Sequence, residues 1–275
     1  MLTDAHCHPY DLSGVYKEYE NERRHHGILI AASACSIEEF TYTEELAHNA
    51  DKEQAVPILP CFGVHPQIFS QNNSHRCTEE TQREKLSGAE LINMLYNLAI
   101  ERRIAAVGEC GFDLYNAFFS ETESIQEYFF ASQIEIAIKH DLPVIIHARR
   151  AMHKIFSYVK TLSKCKAVVF HSWPASYEEA VSLLRHDVNA YFSFGNTIML
   201  NHKKAIRSCA LLPLERLLTE TDAPFQPQRN EKFSHWTDIN LILKTAAGYR
   251  SEAGNSIDAK DLESRIETNF RKIFK

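Results

Sequence analysis

The chain has 275 residues, of which 44% are hydrophobic and 24% charged, with a formal net charge of −6. One domain of that length can bury roughly three quarters of the surface its unfolded chain exposes, and barrels of this size are routine. The acidic balance excludes a global positive field that would gather nucleic acid or an anionic membrane, so any polyanion must be met by local cations.

The first apolar stretch runs into T-D-A-H-C-H-P-Y at residues 3–10, where His6 and His8 stand two apart. On a strand such a pair shares a face, about 6.6 Å apart along the backbone, whereas on a helix the two would point about 200° apart. Further apolar runs come in order: G-I-L-I-A-A-S from Gly27, V-P-I-L-P-C-F-G-V from Val56, I-A-A-V-G-E-C from Ile104 and L-P-V-I-I-H-A from Leu142. Then come A-V-V-F-H-S-W from Ala167, N-A-Y-F-S-F-G from Asn189 and R-L-L-T-E-T-D-A-P from Arg216. Several are continuous rather than alternating, as strands buried on both faces are in parallel sheets. Helical spacing of apolar residues fills the intervals, in 90–103, in 123–140 with Lys139 and His140 suiting its C-terminus, and in 176–186 behind a Ser176 cap. Residues 71–87 read as a long irregular loop, and Gly254–Ser256 as a turn before a last helix. No linker, repeat or low-complexity tract divides the chain. Strand–helix alternation repeated eight times predicts a single-domain α/β fold, a (β/α)8 TIM barrel over residues 1–275, in preference to an open doubly wound sheet.

Seven cysteines (7, 35, 61, 77, 110, 165 and 209) form no CxxC pair, which predicts reduced, mostly buried thiols. No basic-then-apolar leader opens the sequence and no apolar run approaches roughly 18 residues. The expectation is a cytoplasmic protein without a membrane span, monomeric and with no obligate protein partner.

The runs end in a shared chemistry. His6 and His8 close the first, His65 the third, Glu109 the fourth, His147 the fifth, His171 the sixth and Asp222 the eighth. In a parallel barrel those ends meet at one rim, where active sites of this fold lie. Imidazoles supply neutral donors, and a carboxylate with two oxygens can bridge two cations about 3.5–4 Å apart. The expected arrangement has His6, His8 and Asp222 on one divalent ion, His147 and His171 on the other, and Glu109 between them. Mixed imidazole and carboxylate donors suit Zn2+ and Mn2+ better than Mg2+.

T-D-A-H-C-H, G-V-H-P, V-G-E-C-G-F-D, V-I-I-H-A-R, F-H-S-W and T-E-T-D-A-P, in that order, resemble the TatD family of metal-dependent deoxyribonucleases from Thr3 to about Phe274. The resemblance implies a TIM barrel of the amidohydrolase superfamily with a binuclear site. It also implies hydrolysis of DNA phosphodiesters, often 3′→5′ from single strands or 3′ ends, with Mg2+ or a similar ion. It implies His6, His8, Glu109, His147, His171 and Asp222 as ligands, with His65 near the substrate phosphate. The sequence departs from the family pattern at Arg150, where an acidic residue is usual, at Trp173-Pro174-Ala175, where a glycine is lost, and at Lys232, in place of proline.

The mechanism expected is metal-assisted hydrolysis. Asp222 would take a proton from water as general base, and Glu109 would fix the metal pair. Arg149 would clamp a phosphate oxygen or else form a salt bridge beneath the rim. His65 would bond a phosphate or protonate the leaving oxygen, or else cap a turn. Phe112, Asp113 and Trp173 would stack on or position a base, or else pack. Two competing readings are a binuclear hydrolase of small amides, lactones or phosphoesters, and a non-catalytic metal-stabilised scaffold.

Overall fold

The structure, a computed structural model, describes residues 1–70 and 88–274. The irregular loop expected over 71–87, with Cys77, lies outside the described residues. Eight strands form one sheet: β1 Thr3–Cys7, β2 Leu29–Ala34, β3 Ile58–Phe62, β4 Ala106–Asp113, β5 Val144–Arg149, β6 Val168–Phe170, β7 Ala190–Phe194 and β8 Leu217–Thr219. Each pairs in parallel with the next, in chain order. The circuit is drawn shut between β8 and β1. Thr219 Oγ1 donates to Thr3 O (3.3 Å), the Asp222 N–H to His6 O (3.0 Å), and the His8 N–H to Ala223 O (2.8 Å). The expected TIM barrel is therefore the fold.

Helices cover the outside: α1 Pro9–Val15, α2 Tyr19–His26, α3 Ile37–Lys52, α4 Gly88–Ile100, α5 Ala117–Ser120 and α6 Glu123–Lys139. They continue as α7 Met152–Ser157, α8 Val159–Leu162, α9 Tyr177–Arg185, α10 Lys203–Leu211, α11 Asp238–Glu252 and α12 Ala259–Ile273. Ser176 caps α9 as expected, closing a capping box with Glu179 that satisfies two backbone donors.

The two faces of the sheet carry different side chains. Ile30, Ala32, Val107, Cys110, Val144 and Ile146 face outward beneath the helices. Ala5, Leu29, Ala31, Cys61, Ala106 and Val169 fill the lumen. From α12, Phe270, Ile273 and Phe274 join this inner cluster, and Asn269 donates to Leu214 O and Leu217 O at the start of β8. One mouth is thereby stoppered by apolar side chains, each stabilising by roughly 1.5–3 kcal/mol when fully buried. The other mouth, at the strand C-termini, carries the polar site.

Strict alternation fails in two places, and both matter. Asp4 faces Ile30 and Cys7 faces Ala32, three residues against two; likewise Val107 faces Val144 and Cys110 faces Ile146. An extra residue reverses the face taken by the side chains beyond it. Val107 and Cys110 can then both point outward with Glu109 pointing in. Gly108 (φ +145°) and Gly111 (φ +142°) flank it, and a Cβ at Gly111 would stand 2.0 Å from His147 O. Glu109 thus lies within β4 rather than at its end, a correction to the expected strand-end position; Asp113 is the last residue.

Candidate metal centre

Glu109 sits at the middle of the cluster and is 2% exposed. Its Oε2 lies 3.3 Å from His6 Nε2 and 3.7 Å from His8 Nε2. Its Oε1 lies 2.7 Å from His147 Nδ1, 2.9 Å from His171 Nε2 and 3.4 Å from His65 Nε2. Asp222 completes one side, with Oδ1 3.5 Å from His6 Nε2 and 3.4 Å from His8 Nε2. Three ligand-sized groups result: His6–His8–Asp222, His6–Glu109–His171 and His65–Glu109–His147. All six side chains proposed from sequence as ligands converge at one mouth.

Three of the histidines are aimed from behind. Ser33 Oγ lies 3.0 Å from His6 Nδ1, leaving Nε2 to face the cluster. Asp113 Oδ2 accepts from His147 Nε2 (3.3 Å), which leaves Nδ1 facing Glu109. Glu220 Oε1 lies 3.4 Å from His171 Nδ1 and accepts from the Ser172 N–H at 2.6 Å. Such outer partners select the tautomer and ring orientation that a metal requires. His65 differs, because its Nδ1 accepts from the Gln67 N–H (3.2 Å). With Nδ1 accepting, Nε2 is the nitrogen that presents a proton toward Glu109. Capping the turn through Nδ1 therefore does not occupy the nitrogen that faces the cluster.

Ser33, Glu220, Gln226 and Asp4 escaped the sequence reading. Gln226 Nε2 donates to Asp222 Oδ2 and Ser172 Oγ, both at 2.6 Å. Asp4 accepts from the Thr221 N–H and hydroxyl and from the His6 N–H, tying the end of β8 to β1. Two buried amides on α6, Gln126 and Gln133, clamp the backbones of Asp113 and Val64. The seven-residue spacing of these glutamines on an apolar helix face was the available signal. Ser33 and Glu220 left none, since a single serine or glutamate near a strand end is unremarkable.

Two expectations are corrected. Asp113 is fully buried and holds His147, Gln67 Nε2 (2.6 Å) and the Tyr115 N–H (2.9 Å), so it positions a histidine instead of touching substrate. The Trp173 ring is 1% exposed, packs edge-on against Phe170 and Phe192, and donates from Nε1 to Ser208 Oγ. It is core. Phe112 is fully buried, in line with the packing alternative read for it from sequence. Arg149 is half-exposed, 3.8 Å from Asp113 Oδ2 and with its guanidinium 3.8 Å from the centre of the Tyr115 ring. The substituted Arg150 grips the same tyrosine, donating to its carbonyl at 3.0 Å.

The carboxylates and imidazoles of the cluster shift one another's protonation. Burial disfavours the charged form of Glu109, but the imidazoles of His65, His171 and His6 outweigh it and hold the carboxyl well below its ordinary range. Asp222 is likewise lowered to about 2, with burial opposed by its bond to His8 and the field of His171. Burial works against a charge on His171, yet Glu109 and Glu220 raise it well above its usual value, and Asp113 and Glu109 raise His147. Burial and the neighbouring His171 lower His6. Buried carboxylates that draw protons onto adjacent imidazoles are the donor set a divalent cation would take over. The residues therefore fit metal.

The cluster forms the floor of a cleft of about 1370 Å³. None of the described helices is long and apolar enough to cross a membrane. The described cysteines are buried thiols with no disulfide among them.

A family model described as TatD related DNase matches residues 3–275. An uncharacterized metal-dependent hydrolase of Buchnera aphidicola (subsp. Acyrthosiphon pisum) is 30% identical over 238 residues, covering 82% of this chain and 81% of its own. A 3′-5′ ssDNA/RNA exonuclease TatD of Pantoea ananatis is 30% identical over 223 residues, or 77% of this chain and 76% of its own. The crystal structure of YjjV, a TatD homologue from Escherichia coli K12, shares the fold with a TM-score of 0.81 at 23% identity, over 99% of this chain and 97% of that one. The chain belongs to the TatD related DNase family, and it is a metal-dependent hydrolase.

Proposed function

We propose that the protein hydrolyses phosphodiester bonds of DNA, as a 3′→5′ exonuclease acting with two divalent cations. The observation that carries this is the placement of Glu109, whose two oxygens face different histidine sets, His6 and His8 on one side, His147 and His171 on the other. His6, His8 and Asp222 would hold one ion, His147 and His171 the second, and Glu109 both. Bound there, the cations supply a lowered pKa for water and neutralise charge developing on the phosphoryl oxygens. The mixed donors favour Mn2+ or Zn2+ over Mg2+.

The protein's own groups supply the rest. Asp222 stays ionised at any working pH and accepts the proton of the attacking water, while Gln226 keeps its carboxylate from turning. His65 presents its Nε2 proton to a phosphate or leaving oxygen. Arg149, stacked on Tyr115, meets a second phosphate oxygen. The cleft exceeds the roughly 300–1,000 Å³ of small-ligand pockets, which supports a polymeric substrate over a small amide or lactone. A relative named as a 3′-5′ ssDNA/RNA exonuclease supports the same reading.

Elemental analysis of the purified protein, paired with digestion of oligonucleotides labelled at either end, tests it. Two metals per chain and stepwise loss of nucleotides from the 3′ end are expected. Turnover of an amide or lactone panel with intact oligonucleotides would overturn it.

A further inference from the structure

Above the floor the cleft has two unlike walls. The loop after β4 and the short helix α5 present Tyr115, Phe118 and Phe119. Phe118 and Phe119 are partly exposed, with ring centres 5.9 Å apart at 68°. The segment after β7 brings Lys203 and Lys204 to the same cleft, both exposed and neither in an ion pair among the described residues. Two strands, β5 and β6, separate β4 from β7, which puts β7 three steps round an eight-strand circuit, so the walls stand on different sides of the mouth. Two exposed ammonium groups on an acidic chain, across the cleft from partly exposed phenyl rings over the proposed phosphate-handling floor, match what a single strand offers. Its bases present flat faces on one side and its phosphates a charged edge on the other.

We infer that a single-stranded nucleic acid crosses the mouth with a base against Phe118 and Phe119 and the phosphates flanking the reacting one on Lys203 and Lys204. This path rests on the nuclease reading above and adds residues that play no part in bond cleavage.

The test is binding of a labelled, hydrolysis-resistant phosphorothioate oligothymidylate to the metal-loaded protein, by fluorescence anisotropy across about 50–200 mM salt. Each phosphate contact on a single strand contributes about 0.7 to the slope of log affinity against log salt. Lys203→Ala with Lys204→Ala should therefore flatten the slope by about 1.4, and Lys203→Arg with Lys204→Arg should keep it. Phe118→Ala with Phe119→Ala should weaken binding about tenfold and abolish the discrimination against an abasic strand that the wild type shows. The lysines are exposed, so the first pair should keep the parent melting temperature and stay informative even if the phenylalanine pair does not fold. A wild type that binds with a slope unchanged by the lysine pair overturns the path and leaves the nuclease reading standing. A wild type that binds neither the DNA strand nor its RNA counterpart overturns both.

Discussion

Asp113 and Glu109 grip His147 from opposite ends of its ring, Oδ2 at 3.3 Å from Nε2 and Oε1 at 2.7 Å from Nδ1. One carboxylate orients the ring, and in the proposed site the other would share the metal with it. Replacing the orienting group leaves the ligands in place but frees the ring to rotate. Asp113→Ala should lower the affinity for the ion that His147 would hold by about 10–100-fold, since orienting partners of ligand histidines are worth about that much. Competition against a chelating dye reads it directly. Affinities equal to wild type for both metals would remove Asp113 from the centre.

Glu109→Gln keeps the shape of the bridge and removes its charge. Metal content should fall below two ions per chain and turnover should drop by about a thousandfold or more, the barrier cost of about 4 kcal/mol that losing a principal electrostatic stabiliser carries. Far-ultraviolet circular dichroism should stay native. Full metal content with near-native rates would refute the bridging role.

The pH dependence has a defined sign. Glu109 and Asp222 titrate below their ordinary values of 4.5 and 3.8, so their stabilisation is present above about pH 4.5 and lost as pH falls. His147 and His171 titrate above their ordinary 6.5, so theirs is complete below that pH and lost as pH rises through the folded values. Asp4, pushed up to about 7 by burial, binds its proton longer folded than unfolded and draws the optimum toward the acidic end of that window. The metal-free protein should therefore melt progressively lower above pH 6.5. Metal needs those imidazoles neutral, so Mn2+ should raise the melting temperature more at pH 8 than at pH 6. Equal increments at both would contradict the exchange of protons for metal.

Arg149 is half-exposed and already held by Tyr115 and Asp113, so in the proposed clamp it would meet a phosphate oriented but solvent-screened. Arg149→Ala should raise KM about three- to tenfold with a smaller change in kcat, as for a charged hydrogen bond present in both ground and transition states. Steady-state kinetics on an oligonucleotide decide it. A loss confined to kcat would rule out the clamp.

Trp173 offers a control. Trp173→Ala should destabilise by about 3–5 kcal/mol, the usual result for a large core ring. Trp173→Phe should cost less and leave KM for oligonucleotides at the parent value. A rise in KM with unaltered melting would return the indole to substrate.

Much of the molecule was legible without coordinates. Eight apolar runs, the helical spacing between them and the Ser176 cap arise from local propensity and burial, which act within a few residues along the chain. The polar residue at or after each run named six side chains that the barrel gathers at one mouth, because a metal needs particular atoms and few side chains supply them. Direction was another matter. With strict alternation from Ala5 and Ala106 in the lumen, His6 and Glu109 would have pointed under the helices. One surplus residue in β1 and one in β4 turn them inward, and the pairing partners on β2 and β5 define that slip. The positions of Ser33 and Glu220 behind the histidines, the orienting role of Asp113 and the choice between packing and substrate contact at Trp173 were equally undecided. They depend on which distant segments close the barrel, a global packing outcome that no window of neighbouring residues encodes.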